Sequence, residues 1–177
     1  IDIDCHHGDG VQYAFYDSDR VLNISIHESG DFLFPGTGFT NEIGSGKGRG
    51  YTINIPLYPY TGDEDYIWAF QEIVPKIMTK FNPDVLITQQ GVDSHFKDPI
   101  THLNLTTQGH SRVVKEIKRS HNGPWLALGG GGYDLQAVSR AWALEYGILS
   151  SQHFGPQIPE PYSQIHNVDS LIDHQQV

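Results

Sequence analysis

Short runs of β-branched and aliphatic residues alternate with longer stretches whose apolar residues recur at helical spacing. This alternation restricts the chain more than any other feature. Residues 1–5 read as the end of a strand, residues 9–16 (DGVQYAFY) as a short helix and residues 20–26 (RVLNISI) as a strand, because β-branched side chains in alternation suit a pleated surface. Residues 51–55 (YTINI) read as a strand that Pro56 ends. Residues 64–80 place Ile67, Phe70, Ile73, Val74, Ile77 and Met78 on one helical stripe, with Asp63 and Glu64 suited to its first turn. Pro75 should kink or divide that helix. Residues 84–90 begin as a buried strand, residues 106–119 read as a helix capped by Thr106 or Thr107, residues 124–128 (PWLAL) as a buried strand, and residues 133–149 as a helix. Strand and helix in turn predict an α/β domain with a mostly parallel sheet. Such sheets hold ligands beyond the carboxyl ends of their strands. Two stretches stand outside the pattern. Residues 27–50 are a long, glycine-rich loop, a length that points to function in a compact domain. Residues 150–177 are polar and read as a loosely ordered tail or connector.

Composition narrows the partners. A chain of 177 residues suits one domain and is long enough for a real core. The net charge of −10 argues against binding nucleic acid through its phosphates and mildly favours cationic ligands such as lysine-bearing peptides or polyamines. No apolar stretch is long enough for a bilayer, so no membrane partner is expected. The single cysteine, Cys5, excludes an internal disulfide and fits a reducing, cytoplasmic setting. The opening Ile-Asp-Ile-Asp-Cys-His-His, without a methionine, reads as the middle of a protein, and a fragment is expected.

Several clusters carry chemistry-bearing side chains. In Asp2-Ile3-Asp4-Cys5-His6-His7-Gly8-Asp9-Gly10, strand periodicity aligns Asp2, Asp4 and His6 on one side and Ile1, Ile3 and Cys5 on the other. A carboxylate and an imidazole at i and i+2 make half of a zinc-type site, and equally make an edge strand with one wet face. Gly91-Val92-Asp93 follows an apolar strand at its carboxyl end, so Asp93 could supply a third ligand or simply form a turn. Leu128-Gly129-Gly130-Gly131-Gly132-Tyr133 lets backbone pass close to a ligand and deliver a tyrosine hydroxyl to an oxyanion, or is a flexible turn ending in a packed aromatic. No Lys-Ser/Thr follows the glycines, which excludes a phosphate-binding P-loop. Phe32, Phe34 and Pro35 in the long loop could wall an apolar channel or pin the loop to the core.

In order, DxDxHHGDG, FPGTG, GxGKGxG, GxDxxxxDP and GGGGY closely resemble the zinc-dependent histone deacetylase family over residues 1–149. The phrasing DIDCHHGDGVQYAFY, LFPGTG and GGGGYD looks most like the prokaryotic acetoin-utilisation branch. The resemblance implies the arginase/deacetylase fold, three-layer α/β/α with a mostly parallel sheet, truncated at its N-terminal side. Residues 1–149 would be the C-terminal portion of the catalytic domain. It implies one catalytic zinc held by Asp4, His6 and Asp93, with Tyr133 as oxyanion donor. Asp2 and Asp9 would orient a catalytic histidine pair that lies upstream of Ile1, so the general acid/base is expected outside this chain. Phe34, Ile100, Gly131 and Gly132 would line the substrate channel. A monovalent cation, potassium, would sit at Asp2, Asp4, His6, Ser25 and Ile26, and another near Phe15, Ser18, Val21 and Tyr51. The implied reaction is hydrolysis of the acetyl amide of acetyl-lysine in proteins or peptides, incomplete in this chain alone. The alternatives are an acetylpolyamine or other small-amide deacetylase, and a non-catalytic acetyl-lysine binding module.

Overall fold

The computed structural model describes residues 1–174. Its sheet is built from two parallel strand pairs. β1 (Asn23–Glu28) pairs with β2 (Thr52–Leu57), and β3 (Leu86–Gln89) pairs with β4 (Trp125–Leu128). The first residues of the chain join the two pairs. The Asp2 amide donates to the Ile24 carbonyl (2.8 Å) and the Ile26 amide to the Asp2 carbonyl (3.0 Å), while on the other side the Ile3 amide donates to Gln89 (3.1 Å) and the Gln89 amide to Ile1 (3.0 Å). The strand order is therefore β2, β1, residues 1–3, β3, β4, all parallel, as the alternation of elements predicts.

Helices α1 (Asp9–Ala14), α2 (Asp63–Phe81), α3 (Thr107–Ser120), α4 (Leu135–Leu149) and α5 (Tyr162–His166) and a 3₁₀ turn at Gly46–Gly48 complete the described elements. The core joins Ile3, Cys5, Ile24, Ile26 and Ile55 of the sheet to Tyr66, Phe70, Val74 and Met78 of α2 and Val113, Val114 and Ile117 of α3. The α3 helix packs against both α2 and α4. Thr106 caps α3 by accepting the Gly109 amide, and Asp134 caps α4 by accepting the Ala137 amide. No helix among the described residues is long and apolar enough to cross a membrane.

The structure departs from the sequence reading at Pro56, at Pro75 and in β4. Pro56 lies inside β2, opposite His27, instead of ending it; β2 is an outer strand, where a missing amide proton costs little. Pro75 does not divide the helix, since α2 extends from Asp63 to Phe81 across it. The buried stripe on both sides of the proline, Tyr66 and Phe70 before it and Val74 and Met78 beyond it, outweighs one lost backbone bond. The β4 strand is not buried: Leu126 is 52% exposed, and with Ile87, Val85 and Leu128 it forms an open apolar strip on the sheet face away from α2 and α3. Residues 150–174 carry α5 and a bridge between Gln157 and Ser170, and the Asp173 side chain packs against α3 and α4. The remaining residues, 175–177, lie outside the described part.

Candidate metal centre

Every side chain of the cluster leaves the carboxyl edge of the sheet. Asp4 and His6 follow the central segment, Asp93 follows β3, and the glycine run follows β4. The Nδ1 atom of His6 lies 3.1 Å from Oδ1 of Asp4 and 2.9 Å from Oδ2 of Asp93. One donor atom from each of the three lies within 4.8 Å of the others. The remaining lone pairs are engaged by neighbours that fix the carboxylates. Oδ1 of Asp93 accepts the Cys5 amide (2.7 Å), and Oδ2 of Asp4 accepts Nε2 of Gln89 (2.7 Å) and the Gly131 amide (2.8 Å). Glycine is required at both flanks. A Cβ on Gly91 would run into the Asp4 carboxylate, and one on Gly131 would meet both Asp4 and Asp93.

The charges are concentrated in a poorly solvated corner. Burial pushes the Asp4 carboxyl upward, but hydrogen bonds from His6 and Gln89 outweigh it and hold it well below the usual carboxylate range. Burial raises Asp93, which is fully inaccessible. The hydrogen bonds to Asp4 and then Asp93 push His6 up to about 10. Burial pushes Asp2 up to about 7, with further contributions from the adjoining carboxylates. Two carboxylate oxygens and an imidazole nitrogen at this spacing are the donor set of a divalent zinc-type ion, and the concentrated negative charge calls for a cation. The donor set therefore fits such an ion.

The other candidate residues are distributed around this corner. Tyr133 ends the glycine run with its side chain about half exposed and its amide donating to Oδ2 of Asp98 (2.9 Å). Partial desolvation, followed by the charges of Asp93, Asp4 and Asp98, raises its phenol above the ordinary value. Ile100 is exposed on the loop that carries Asp98, and its amide donates to Oδ1 of Asp98 (3.0 Å). Phe34 is 79% exposed, so the loop aromatics do not pin the loop to the core; Leu33 packs there instead. Gly132 takes a left-handed φ of 137° that glycine tolerates. Asp9 opens α1, its amide donating to the His7 carbonyl (2.8 Å). Ser25 sits beside Asp2, and its hydroxyl meets Nδ1 of His27 (2.9 Å) and accepts the Gly8 amide (3.3 Å); the Ile26 amide is taken by Asp2. In the second cation group, the Phe15 carbonyl accepts the Ser18 amide and the Tyr51 carbonyl accepts the Asn23 amide. Val21 borders a groove beside Phe15. Sequence reasoning gave no site role to Gln89, nor to Gly91 and Asp98, which it met only as parts of the GxDxxxxDP pattern. Gln89 ends β3 and Gly91 stands two residues beyond it, a position that signals the site, whereas Asp98 lies nine residues on and shows itself only through its bond to the Tyr133 amide.

Comparison with known proteins identifies the lineage. The histone deacetylase domain model matches residues 1–149. The chain belongs to the histone deacetylase family. This histone deacetylase family chain is 45% identical over 168 residues to the acetoin utilization protein AcuC of Bacillus subtilis (strain 168), covering 90% of the chain and 42% of that protein. It is 43% identical over 159 residues to human histone deacetylase 1, covering 90% of the chain and 33% of that protein. Among solved structures it superimposes on an HDAC homolog complexed with SAHA at a TM-score of 0.90 and 30% identity, over 97% of this chain and 50% of that one. An HDAC homolog from Aquifex aeolicus gives a TM-score of 0.87 at 31% identity, again over 97% and 50%. These likenesses establish the arginase/deacetylase fold. The chain spans less than half the length of the curated relatives it matches.

Proposed function

We propose that this chain is the metal-holding part of a zinc-dependent deacetylase that removes the acetyl group from acetyl-lysine in proteins or peptides. The convergence of Asp4, His6 and Asp93 from separate segments onto one small volume supports it most directly. Those three residues would hold the zinc. When bound, the ion supplies a Lewis acid and an acidified water. Gly131 leaves the space beside Asp4 and Asp93 free of a side chain, and the exposed Phe34 and Ile100 would wall the approach of the scissile amide. The alkyl stem of lysine suits such walls, each methylene gaining roughly 0.8 kcal/mol when fully buried. Tyr133, an ordinary phenol that is protonated at neutral pH and whose surroundings raise it further, would donate a hydrogen bond to the developing oxyanion.

The general base is assigned to the family's upstream histidine pair, oriented by Asp2 and Asp9. The histidines beside the metal corner are already engaged. His7 bonds Thr37 (2.8 Å) and Gln12 (3.1 Å), and His27, which burial pushes down to about 4, bonds Ser25 (2.9 Å) and the Gly38 carbonyl (2.9 Å). Potassium at Asp2, Asp4, His6, Ser25 and Ile26 and a cytoplasmic setting belong to the same reading. Zinc retention of the purified chain tests it: Asp93→Ala should lose the ion, and undiminished zinc in that variant refutes the ligand set. In a protein carrying the whole family domain, Tyr133→Phe should retain zinc and lose roughly 10²–10³ in kcat on an acetyl-lysine peptide. Near-parental turnover there removes Tyr133 from the chemistry.

A further inference from the structure

Asp173 lies on the returning segment after α5, far along the chain from the metal corner, yet its side chain is only 5% exposed. It is tied in from several directions. Oδ2 accepts Nε2 of His95 (3.0 Å) and the Thr107 amide at the start of α3 (2.8 Å), while Oδ1 accepts Nη1 of Arg140 on α4 (2.8 Å). Its backbone is clasped as well: the Asp173 amide donates to Oε1 of Gln108 (2.8 Å), and Nε2 of Gln108 donates to the Asp173 carbonyl (2.8 Å).

The target of this clasp is the loop that carries Asp93. His95 is buried, and its Nδ1 accepts the Lys97 amide (3.2 Å), so Nε2 carries the proton given to Asp173. The His95 amide donates to Val92 (3.1 Å) and its carbonyl accepts the Asp98 amide (2.8 Å). The His95 backbone is thus bonded on one side to Val92, next to Asp93, and on the other to Asp98. Two residues earlier stands Asp93, and three residues later Asp98, which holds the Tyr133 amide.

We propose that Asp173 is a positioning residue that, through His95, sets the orientation of Asp93 and of the Asp98–Tyr133 anchor; this rests on the reading of Asp93 as a metal ligand. Partners one step behind a ligand hold its geometry, and losing them typically weakens metal binding about 10–100-fold. Asp173 acts one step further back, which places its effect near the lower end.

The test measures Zn²⁺ affinity by chelator competition, and the visible absorption of bound Co²⁺, on the full 177-residue chain. Asp173→Asn should weaken Zn²⁺ binding about tenfold and alter the Co²⁺ spectrum while the far-UV circular dichroism stays parental, and Asp173→Glu should restore part of both. Parental affinity and spectrum in Asp173→Asn, with binding abolished in Asp93→Asn, overturn the positioning role and leave the metal site standing. Parental binding in Asp93→Asn overturns the metal reading itself, and the proposal with it. Should Asp173→Asn fail to fold, the double variant Asp173→Asn/Arg140→Gln removes the stranded buried cation and carries the same comparison. Failure of both to fold assigns Asp173 to the scaffold alone and also overturns the proposal.

Discussion

Gly131→Ala should separate the metal-holding geometry from general stability. A methyl carbon at Gly131 would stand 2.8 Å from the Asp93 carboxyl carbon and 2.8 Å from Oδ2 of Asp4, and closer still to Oδ2 of Asp93. Ordinary carbon–carbon contact begins at about 3.5 Å, so Asp93 must retreat by roughly 0.7 Å. It has little room to do so, because Oδ1 is held by the Cys5 amide and Oδ2 by His6. Metal sites tolerate donor displacements of only about 0.2 Å, and displacements near 1 Å elsewhere in active sites cost about 10²-fold. Zinc affinity should therefore fall about 10²-fold, or roughly 2.7 kcal/mol. Overpacking should add about 1–3 kcal/mol of destabilisation, a fall of roughly 2–12 °C in melting temperature for a domain of this size. Chelator competition gives the affinity and thermal unfolding in EDTA gives the stability. Gly155→Ala is the control, since a Cβ there meets nothing within 4 Å. Parental zinc affinity in Gly131→Ala would refute the argument that this glycine exists to admit two carboxylates.

Two further outcomes follow from buried charge. His110 and Glu145 form an inaccessible ion pair at 2.6 Å, off-line for a hydrogen bond, and neither Glu145 oxygen has another partner. Burial alone would lower the His110 pKa, but Glu145 and the Gly91 carbonyl outweigh it and raise it. His110→Phe strands the carboxylate and should cost about 3–5 kcal/mol, whereas His110→Phe/Glu145→Leu should recover most of that; equal losses in thermal melts would contradict the pairing. Asp173 gives a pH signature. Burial opposes ionisation, but hydrogen bonds from His95, Thr107 and Arg140 outweigh it and hold the carboxyl well below its ordinary value. A group depressed in the folded state stabilises fully above the ordinary carboxylate range, about pH 4, and that contribution fades as pH falls below it. The melting-temperature gap between the parent and Asp173→Asn should narrow from pH 6 to pH 3, and a gap independent of pH would contradict the assignment.

The metal corner was legible because strand alternation already sorts Asp2 and Asp4 from Ile3 and Cys5, and because Asp93 and Tyr133 follow apolar strands directly. The helix caps at Thr106 and Asp134 are local chemistry, and Thr106 was read from a few residues. Pro75 misled because a helix breaker is a local signal, while the stripe from Tyr66 to Met78 acts through burial. Leu126 and Leu128 misled for a related reason: an apolar run shows that a strand can be covered, not which face is covered. Asp173 was invisible because a carboxylate in a polar segment reads as solvated until folding brings it against His95 and Arg140. Gln89 and Asp98 act through one hydrogen bond each to partners more than thirty residues away, a relation no periodicity carries.

The segment of residues 1–3, which leads directly into Asp4 and His6, sits in the middle of the sheet although it precedes both of its neighbours in the chain. During synthesis it must wait for β1 on one side and for β3, more than eighty residues later, on the other. Non-local parallel pairing of this kind closes late and slowly. A divalent ion can gather its donors only after that closure, so metal uptake would serve as a clock for completion of the sheet.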